Sequence, residues 1–285
     1  MRSTSSGRKG AASGQGRVLI IAGSDSGGGA GIQADIKTVT ALGGFAMTAV
    51  TALTVQNTLG VSGIFDVPPA FVAEQMRAVL ADLGADCIKL GMLHRPEVVE
   101  VVADVLAEAA AGVPVVVDPV MVAKGGHSLL AEPAVASLRR RLLPIATVLT
   151  PNLPEAAVLL GEEGPGADPL RDAERLLGLG PQAVLLKGGH AAGPLLVDVL
   201  AERGRGPERL ESRRIATRHT HGTGCTLASA LACGIGQGLG VRDAVIRARA
   251  YVRAAIEAAP GFGAGHGPLG HAHTVRPFPT TPEAG

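Results

Sequence analysis

Short apolar runs alternate with amphipathic or alanine-rich stretches along most of the chain, and this alternation predicts the secondary structure. Runs rich in valine, isoleucine and leucine are typical of strands that are buried on both faces of a parallel sheet. We predict strands at 17–22, 47–55, 61–67, 86–90, 113–117, 145–150 and 183–187, with a hairpin-like addition to the sheet edge at 194–200 and 209–216.

Helical periodicity fills the segments between these strands. We predict helices after the glycine-rich segment 23–31, at 70–83, 96–110 and 172–178, directly after Cys225, and at 241–258. Strands and helices that alternate in this way form a mostly parallel sheet with helices on both faces. The fold class is therefore predicted as α/β: a three-layer α/β/α sandwich that forms a single domain over 17–273.

Both ends of the chain are predicted to be tails. Residues 1–16 are basic, rich in glycine and serine, and without an apolar period, so they cannot bury enough surface to offset the entropy of ordering. An organellar presequence is the alternative, but the stretch lacks an amphipathic stripe. The second tail covers 274–285. The histidines near it allow either a metal site or a surface and packing role, of which we expect the latter: His266, His271 and His273.

Composition and charge narrow the function classes. The 285 residues include 26 basic and 25 acidic side chains, so neither nucleic acid nor an acidic membrane is an expected partner. Cysteines at 87, 225 and 233 show neither paired spacing nor a Cys-x-x-Cys motif, so the sequence suggests neither a disulfide framework nor a structural zinc site and favours a reducing cytoplasm. No apolar run reaches the length of a membrane span, and the N-terminus has no signal-peptide pattern.

Polar residues follow the ends of several predicted strands. Ligands of open α/β sheets bind beyond the carboxyl ends of the strands, so these residues are candidates for a site. Asp118 follows one strand, before a glycine-bearing loop at 124–127, and could hold Mg²⁺ through water. Asn152 and Glu155 follow the next strand and could bind metal or form a helix capping box, or do both. Lys187 ends a third strand and could reach a phosphate.

The turn Gly222-Thr223-Gly224-Cys225 runs directly into an alanine-rich helix. Its glycines permit unusual backbone dihedrals, Thr223 can cap the helix, and the first helical turn forms an anion site. A thiol at a helix N-terminus has a pKa lowered toward neutrality, which would suit Cys225 to accept a proton from an attacking hydroxyl. The alternative is that Cys225 is a small core residue.

The segment 23–31 is a second glycine-rich loop between a strand and a helix. It matches neither the Walker pattern nor the dinucleotide fingerprint, and it suits close approach of a substrate as well as phosphate binding. Asp35, in the following helix, could serve the site or be a solvated first-turn carboxylate. Gln56 and Asn57, between two predicted strands, suggest an edge that faces the substrate.

Several motifs occur together in a fixed order: AGSDSGGGAGIQAD (22–35), TALTVQNT (51–58), KLGML (89–93), DPVM (118–121), TPNLPEA (150–156), KGGH (187–190) and THGTGC (220–225). As a set they resemble the hydroxymethylpyrimidine/phosphomethylpyrimidine kinases of the ribokinase superfamily. The resemblance implies an enzyme of thiamine biosynthesis that uses ATP and Mg²⁺ to phosphorylate 4-amino-5-hydroxymethyl-2-methylpyrimidine twice.

The resemblance also implies a role for each candidate residue. Cys225 takes the position of an aspartate base, with Gly222, Thr223 and Gly224 as the anion hole. Asp118 and Glu155 organise Mg²⁺, and Asn152 and Lys187 lie at the nucleotide phosphates. The pyrimidine is bordered by Gln56, Asp35, Met92 and Gly23. A homodimer is expected. A pyridoxal kinase or dual vitamin kinase, and a non-catalytic pyrimidine-binding regulator, are the alternative functions.

Overall fold

A computed structural model describes residues 14–121, 132–191 and 193–276 of the chain. Most of the predicted N-terminal tail, residues 1–13, lies outside these ranges, as do 277–285 and the predicted loop at 124–127. Gly16 already belongs to the fold, because its carbonyl accepts a hydrogen bond from the Phe45 N–H.

One sheet runs through the described part of the chain. Its strands are β1 (Arg17–Asp25), β2 (Phe45–Asn57), β3 (Gly60–Asp66), β4 (Cys87–Leu90), β5 (Val115–Val117), β6 (Val148–Leu149), β7 (Ala183–Leu186), β8 (Leu195–Glu202) and β9 (Glu208–Arg213). The spatial order is β3-β2-β1-β4-β5-β6-β7-β8-β9. The six central strands, β2, β1, β4, β5, β6 and β7, pair in parallel. Strand β3 at one edge and strands β8 and β9 at the other pair antiparallel with their neighbours.

Helices connect the strands and flank the sheet. They are α1 (Gly31–Ala41), α2 (Pro69–Asp82), α3 (Pro96–Ala109), α4 (Glu132–Ser137), α5 (Leu153–Leu160), α6 (Pro169–Leu177), α7 (Thr223–Gly236) and α8 (Val241–Glu257). No helix within the described ranges combines the length and the apolar character needed to cross a bilayer.

The two faces of the sheet bury separate cores. Successive side chains of a strand point to opposite faces, so in β1 Leu19 and Ile21 pack with α2 and α3, while Val18 and Ile20 pack with α7 and α8. Alanines and valines supply most of these contacts, in keeping with the low aromatic content. The predicted three-layer α/β/α sandwich with a mostly parallel sheet is confirmed.

Several predicted boundaries are wrong; for example, β9 ends at Arg213 instead of 216, and α6 begins at Pro169 instead of 172. β1 continues beyond 22, because Ser24 and Asp25 still pair with β2 after a register shift. β2 runs on through Gln56, since the antiparallel partner β3 extends its ladder. The strand predicted at 145–150 shrinks to β6, because the apolar run before it forms a short 3-10 turn at Leu143–Ile145 around Pro144. The short helix α4 was not predicted.

Candidate active site

The carboxyl ends of the parallel strands lie at one edge of the sheet. The backbone hydrogen bonds of the sheet continue past the strands and fix the residues just beyond them. Each of these residues donates its N–H to a backbone carbonyl of the neighbouring strand or of the residues that follow it: Gly91 to Ile21, Asp118 to Leu90, Thr150 to Val117 and Lys187 to Pro151. Residues 91, 118, 150 and 187 therefore emerge side by side. The general rule for ligand sites in α/β sheets places the candidate site at this edge.

Gly222 begins the glycine turn and can only be glycine there. Its φ is +82°, and a Cβ on it would lie 1.8 Å from the carbonyl oxygen of Gly29. A Cβ on Gly29 would in turn lie 2.4 Å from a ring carbon of His221. The two predicted glycine-rich segments are therefore packed against each other. The backbone N–H groups of the first turn of α7, which begins at Thr223, have no partner within the helix, so this turn can receive an anion.

Thr223 does not cap α7, contrary to the prediction. The helix begins at this residue rather than after it, the N-cap position is Gly222, and that glycine offers no side-chain cap. The Thr223 hydroxyl instead donates to the carbonyl of Thr220 at 2.8 Å. Its role in the turn is to hold the preceding segment, because a side chain inside the first turn points back toward the helix N-terminus.

Asp118 and Lys187 face the glycine turn, and Glu155 lies beside Lys187. Lys187 Nζ lies 2.9 Å from Asp118 Oδ1 and 3.9 Å from Glu155 Oε2. A Cβ built on Gly224 would lie 3.4 Å from Lys187 Nζ and 3.6 Å from Asp118 Oδ2. Thr150 also donates to Asp118 at 3.1 Å. Burial lowers the pKa of Lys187, but the two carboxylates outweigh it, so the net pKa is raised and the ammonium persists.

Asn152 and Glu155 form the predicted capping box of α5. The Asn152 side chain accepts from the Glu155 N–H at 2.9 Å, and the Glu155 carboxylate accepts from the Asn152 N–H at 2.8 Å. Burial raises the pKa of Glu155 to about 7; Lys187 opposes this shift and Asp118 adds to it. The capping role is therefore present, and the carboxylate also carries a perturbed pKa of the kind found at functional sites.

The donor set suits a magnesium ion that is completed by other oxygens. The described residues contain no group of three or more histidine, cysteine, aspartate or glutamate side chains able to enclose a metal. Mg²⁺ characteristically uses one or two carboxylates and takes its remaining ligands from water and substrate phosphates. Asp118 and Glu155, with their shared ammonium, fit that pattern and not a protein-enclosed metal site.

The pKa of the Cys225 thiol is raised, whereas the sequence predicts that it is lowered. The residue is partly exposed, yet burial of the thiol raises its pKa to about 12; Lys89 lowers it, Asp35 and Asp118 raise it, and the backbone N–H of Gly31 lowers it. Loss of hydration therefore outweighs the favourable helix N-terminus. Lys89 favours the thiolate, but burial outweighs its effect.

Asp35 is buried beneath the site, so its interpretation as a solvated first-turn carboxylate is wrong. It has no exposed surface and accepts from Lys89 Nζ at 2.8 Å and from Ser229 Oγ at 2.7 Å. In this structure it offers no surface to a substrate. Asp35 lies on the side of α1 that packs against α7.

Gly23, Met92 and Gln56 lie at the same edge of the sheet. A Cβ on Gly23 would lie 3.2 Å from Met92 Sδ, and the Met92 carbonyl accepts from the buried Thr51 hydroxyl at 2.7 Å. The Gln56 amide contacts His221 Nε2 at 3.4 Å, and its other end lies 3.0 Å from the Thr54 hydroxyl. The predicted substrate-bordering residues, apart from Asp35, are thus brought together with the glycine turn.

Asp25, His221 and Lys89 belong to the site but were not predicted. Asp25 accepts backbone N–H bonds from the loop that follows it and contacts His221 Nε2 at 2.9 Å, which ties the two glycine-rich segments together. Burial opposes ionisation of Asp25, but these bonds leave its pKa lowered. The sequence held one signal for Lys89: a lysine inside the otherwise apolar strand β4 is rarely buried without a partner.

The histidines near the C-terminus act in packing, as predicted. His271 Nδ1 lies 3.0 Å from the Tyr251 hydroxyl, and the His273 ring centroid lies 5.2 Å from that of Tyr251. Burial lowers the pKa of His271 to about 4. The His266 ring nitrogen lies 3.2 Å from the Arg218 carbonyl oxygen.

The fold and the site together define a small-molecule kinase of the ribokinase-like class. Comparison with known proteins agrees. The family model described as phosphomethylpyrimidine kinase matches residues 25–270. The chain is 51% identical over 258 residues to the thiamine biosynthesis bifunctional protein ThiED of Geobacter sulfurreducens, covering 90% of this chain and 52% of that protein. The chain thus spans about half the length of that relative.

Two further relatives align over most of their length. One is the hydroxymethylpyrimidine/phosphomethylpyrimidine kinase of Streptomyces coelicolor, 51% identical over 255 residues that cover 89% of this chain and 93% of that protein. The other is the crystal structure of an ADP complex of Bacillus subtilis pyridoxal kinase, with a TM-score of 0.83, 35% identity, and coverage of 90% and 98% of the two chains. This chain belongs to the phosphomethylpyrimidine kinase family.

Proposed function

We propose that this protein transfers the γ-phosphoryl group of ATP to 4-amino-5-hydroxymethyl-2-methylpyrimidine and then to the resulting monophosphate, as a step of thiamine biosynthesis. The names of two relatives about half identical to this chain support that substrate. The observation that carries the proposal is the glycine turn at the start of α7, set opposite Lys187 and two carboxylates. This arrangement places anion-binding N–H groups beside groups that suit a nucleotide and its metal.

Catalysis of phosphoryl transfer consists largely of positioning and charge stabilisation. The N–H groups of the first α7 turn stabilise the equatorial oxygens of the transferred group. Cys225 accepts the proton of the substrate hydroxyl as that oxygen attacks phosphorus. Lys187 neutralises charge on the phosphates, and Asp118 and Glu155 are the residues that would hold Mg²⁺. A bound Mg²⁺ supplies charge neutralisation and orientation of the triphosphate.

Gln56 supports selection of an aminopyrimidine. Such a ring presents an acceptor nitrogen beside an amino donor, and a glutamine amide supplies the matching donor and acceptor. In the free protein this amide lies between His221 and Thr54. Both neighbours can hold it in one orientation, so that it is ready to read the substrate edge.

A pyridoxal kinase or dual vitamin kinase is the second candidate, favoured by the similarity to the pyridoxal kinase structure. The relative turnover of pyridoxal and the pyrimidine distinguishes the two. Pyridoxal lacks the amino edge that Gln56 matches, so we expect preference for the pyrimidine.

Product analysis with ATP, Mg²⁺ and the pyrimidine alcohol tests the proposal directly. We expect a monophosphate that is then converted into a diphosphate, with one ADP released for each step. In parallel, Cys225→Ala should lower kcat by about 10²-fold or more with little change in KM, because general base catalysis contributes that much. ATP consumption without either product would reject the substrate, and unchanged kcat in the variant would reject the base.

The assembly is proposed to be a homodimer that works in a reducing cytoplasm. The outer β2–β3 face exposes apolar side chains in register: Leu53 is 48% exposed and Phe65 opposite it is 67% exposed. Apolar patches of this kind are typical of interaction surfaces. Light scattering of wild type and Phe65→Lys tests the dimer. The three cysteines are free, which supports a reducing compartment.

A further inference from the structure

A fully buried lysine lies beneath the candidate base. Lys89, on β4, has no exposed surface, and its Nζ lies 2.8 Å from Asp35 Oδ2. Asp35, on α1, accepts a second bond at 2.7 Å from Ser229 on α7. Three separate elements thus contribute to one buried network, and neither the capping of a helix nor the pairing of a strand requires it.

Fold stability does not account for this network. Moving two charges out of water costs several kcal/mol for each ion, and well-packed apolar residues of similar volume often serve a core as well or better. β4 lies in the middle of the sheet, with apolar neighbours Ile88 and Leu90. A methionine or leucine would suit position 89 at least as well as a lysine. The charge therefore calls for a role outside packing.

The ammonium of Lys89 points at the floor of the site. A Cβ on Gly91, the first residue of the loop that leads to Met92, would lie 2.9 Å from Lys89 Nζ. Ser229 follows Cys225 by four residues on α7, so the two side chains lie on one face of that helix, one turn apart. The network thus begins one helical turn from Cys225 and continues through Asp35 to Lys89.

Three charged side chains, Lys89, Asp35 and Asp118, shift the pKa of the Cys225 thiol. Lys89 lowers its pKa and is the strongest of them, Asp35 and Asp118 raise it, and the thiol in turn helps to raise the pKa of Lys187. Burial works against the thiolate more strongly than any of these. A base in this position needs a cation that is always charged and fixed in place.

We propose that Lys89 is a positioning residue for the base: its buried ammonium stabilises the Cys225 thiolate, and Asp35, held by Ser229, moderates that effect and keeps the ammonium in place. The inference rests on the proposed function, in which Cys225 takes the proton. In that step the thiolate lone pair forms the S–H bond, and the O–H electron pair stays on the substrate oxygen. That oxygen forms the new O–P bond while the bond between γ-phosphorus and the ADP oxygen breaks.

The experiment measures thiolate formation in the free protein, without nucleotide or substrate. The rate of Cys225 alkylation by iodoacetamide at pH 8 is monitored by mass spectrometry, with the buried Cys87 and Cys233 as internal references. We expect Lys89→Met to slow alkylation of Cys225 at least about 10-fold. Asp35→Asn, which removes the opposing charge and retains the ammonium, should accelerate it. A network that acts only through packing would change both rates in the same direction.

A double variant guards against misfolding. Lys89→Met leaves Asp35 as an unpaired buried charge, whereas Lys89→Met with Asp35→Asn removes both charges. Because the ammonium is the stronger influence, the double variant should still react more slowly than wild type. The matched control is Arg17→Met with Asp86→Asn, which removes another ion pair (2.7 Å) between the start of β1 and the residue before β4. It lies at the opposite edge of the sheet and should leave alkylation unchanged.

Kinetics separate this inference from the proposed function. The Lys89→Met/Asp35→Asn variant should lower kcat with little change in KM, and it should have no further effect when Cys225 is already alanine. If Cys225→Ala keeps full kcat, the assignment of the base is wrong, but the alkylation result still measures the coupling. If Cys225 alkylation is the same in wild type, the single variants and the double variant, the role of Lys89 is rejected, whatever products the enzyme makes.

Discussion

Replacing Glu155 with glutamine separates its two roles, capping and charge. A glutamine side chain can still accept the Asn152 N–H, so the capping box of α5 survives. Only the negative charge is lost. That charge is the one expected to hold Mg²⁺ beside Asp118, so the variant should bind the metal more weakly without losing the helix.

The size of the stability effect is set by the raised pKa. The folded-state pKa of Glu155 is about 7, against 4.5 for the free side chain, because burial disfavours the carboxylate. The contribution of Glu155 to wild-type stability should therefore fall as pH rises from about 4.5 to 7 and stay at the lower level above that. The difference is bounded at about 3 kcal/mol. Glu155→Gln does not ionise, so above pH 7 and without metal it should be at least as stable as wild type.

Two measurements check this reasoning. Urea unfolding at pH 5 and pH 8 in EDTA should show that the stability of the wild type relative to Glu155→Gln is lower at pH 8 than at pH 5. Steady-state kinetics should show a raised Mg²⁺ requirement and a lower kcat in the variant. Asp168→Ala is the matched control, since Asp168 caps α6 through the N–H groups of Leu170 and Arg171.

The control should lose about 1 kcal/mol of stability and keep normal Mg²⁺ dependence. If Glu155→Gln melts earlier at pH 8 and has normal kinetics, Glu155 is a capping residue alone and the metal assignment is wrong.

Two further predictions concern selectivity and acid stability. Gln56→Leu should raise KM for the pyrimidine by about 5- to 150-fold, the equivalent of about 1–3 kcal/mol for a mismatched amide, and should affect pyridoxal much less; equal losses for both substrates, or none, would show that Gln56 does not read the amino edge. The lowered pKa of His271, about 4, means that the folded protein binds this proton more weakly than the unfolded chain. The contribution of His271 to stability is therefore full above about pH 6.5 and falls toward pH 4, and His271→Gln should flatten that part of the Tm profile; an unchanged profile would contradict the lowered pKa.

The alternation of apolar runs was enough to predict the sandwich, its mostly parallel sheet and the edge that carries the site. This works because burial on both faces leaves a mark in each strand separately, as in β1, and because parallel strands end at one edge. The ends of the strands and helices were harder to predict from the sequence. β2 continues through Gln56 because β3 pairs with it, and pairing is a property of two segments, not one.

Local motifs also identified most of the candidate residues, since a glycine turn before a helix, or a carboxylate after a strand, has the same chemistry in any context. The glycine turn, Asp118, Lys187 and the capping box of Asn152 with Glu155 needed no tertiary information to be proposed. The helix-terminus argument likewise led to the Cys225 thiol, but it predicted a lowered pKa.

Only the tertiary structure decided the electrostatics beneath that thiol. Asp35 is buried instead of solvated, and Lys89 and Ser229 meet it from two other elements. The pKa of a group depends on how much water it loses and on every charge within a few ångströms of it, and those neighbours come from distant parts of the chain. The sequence alone therefore identified most of the candidate groups, whereas packing added Asp25, His221 and Lys89 and raised the pKa of the Cys225 thiol.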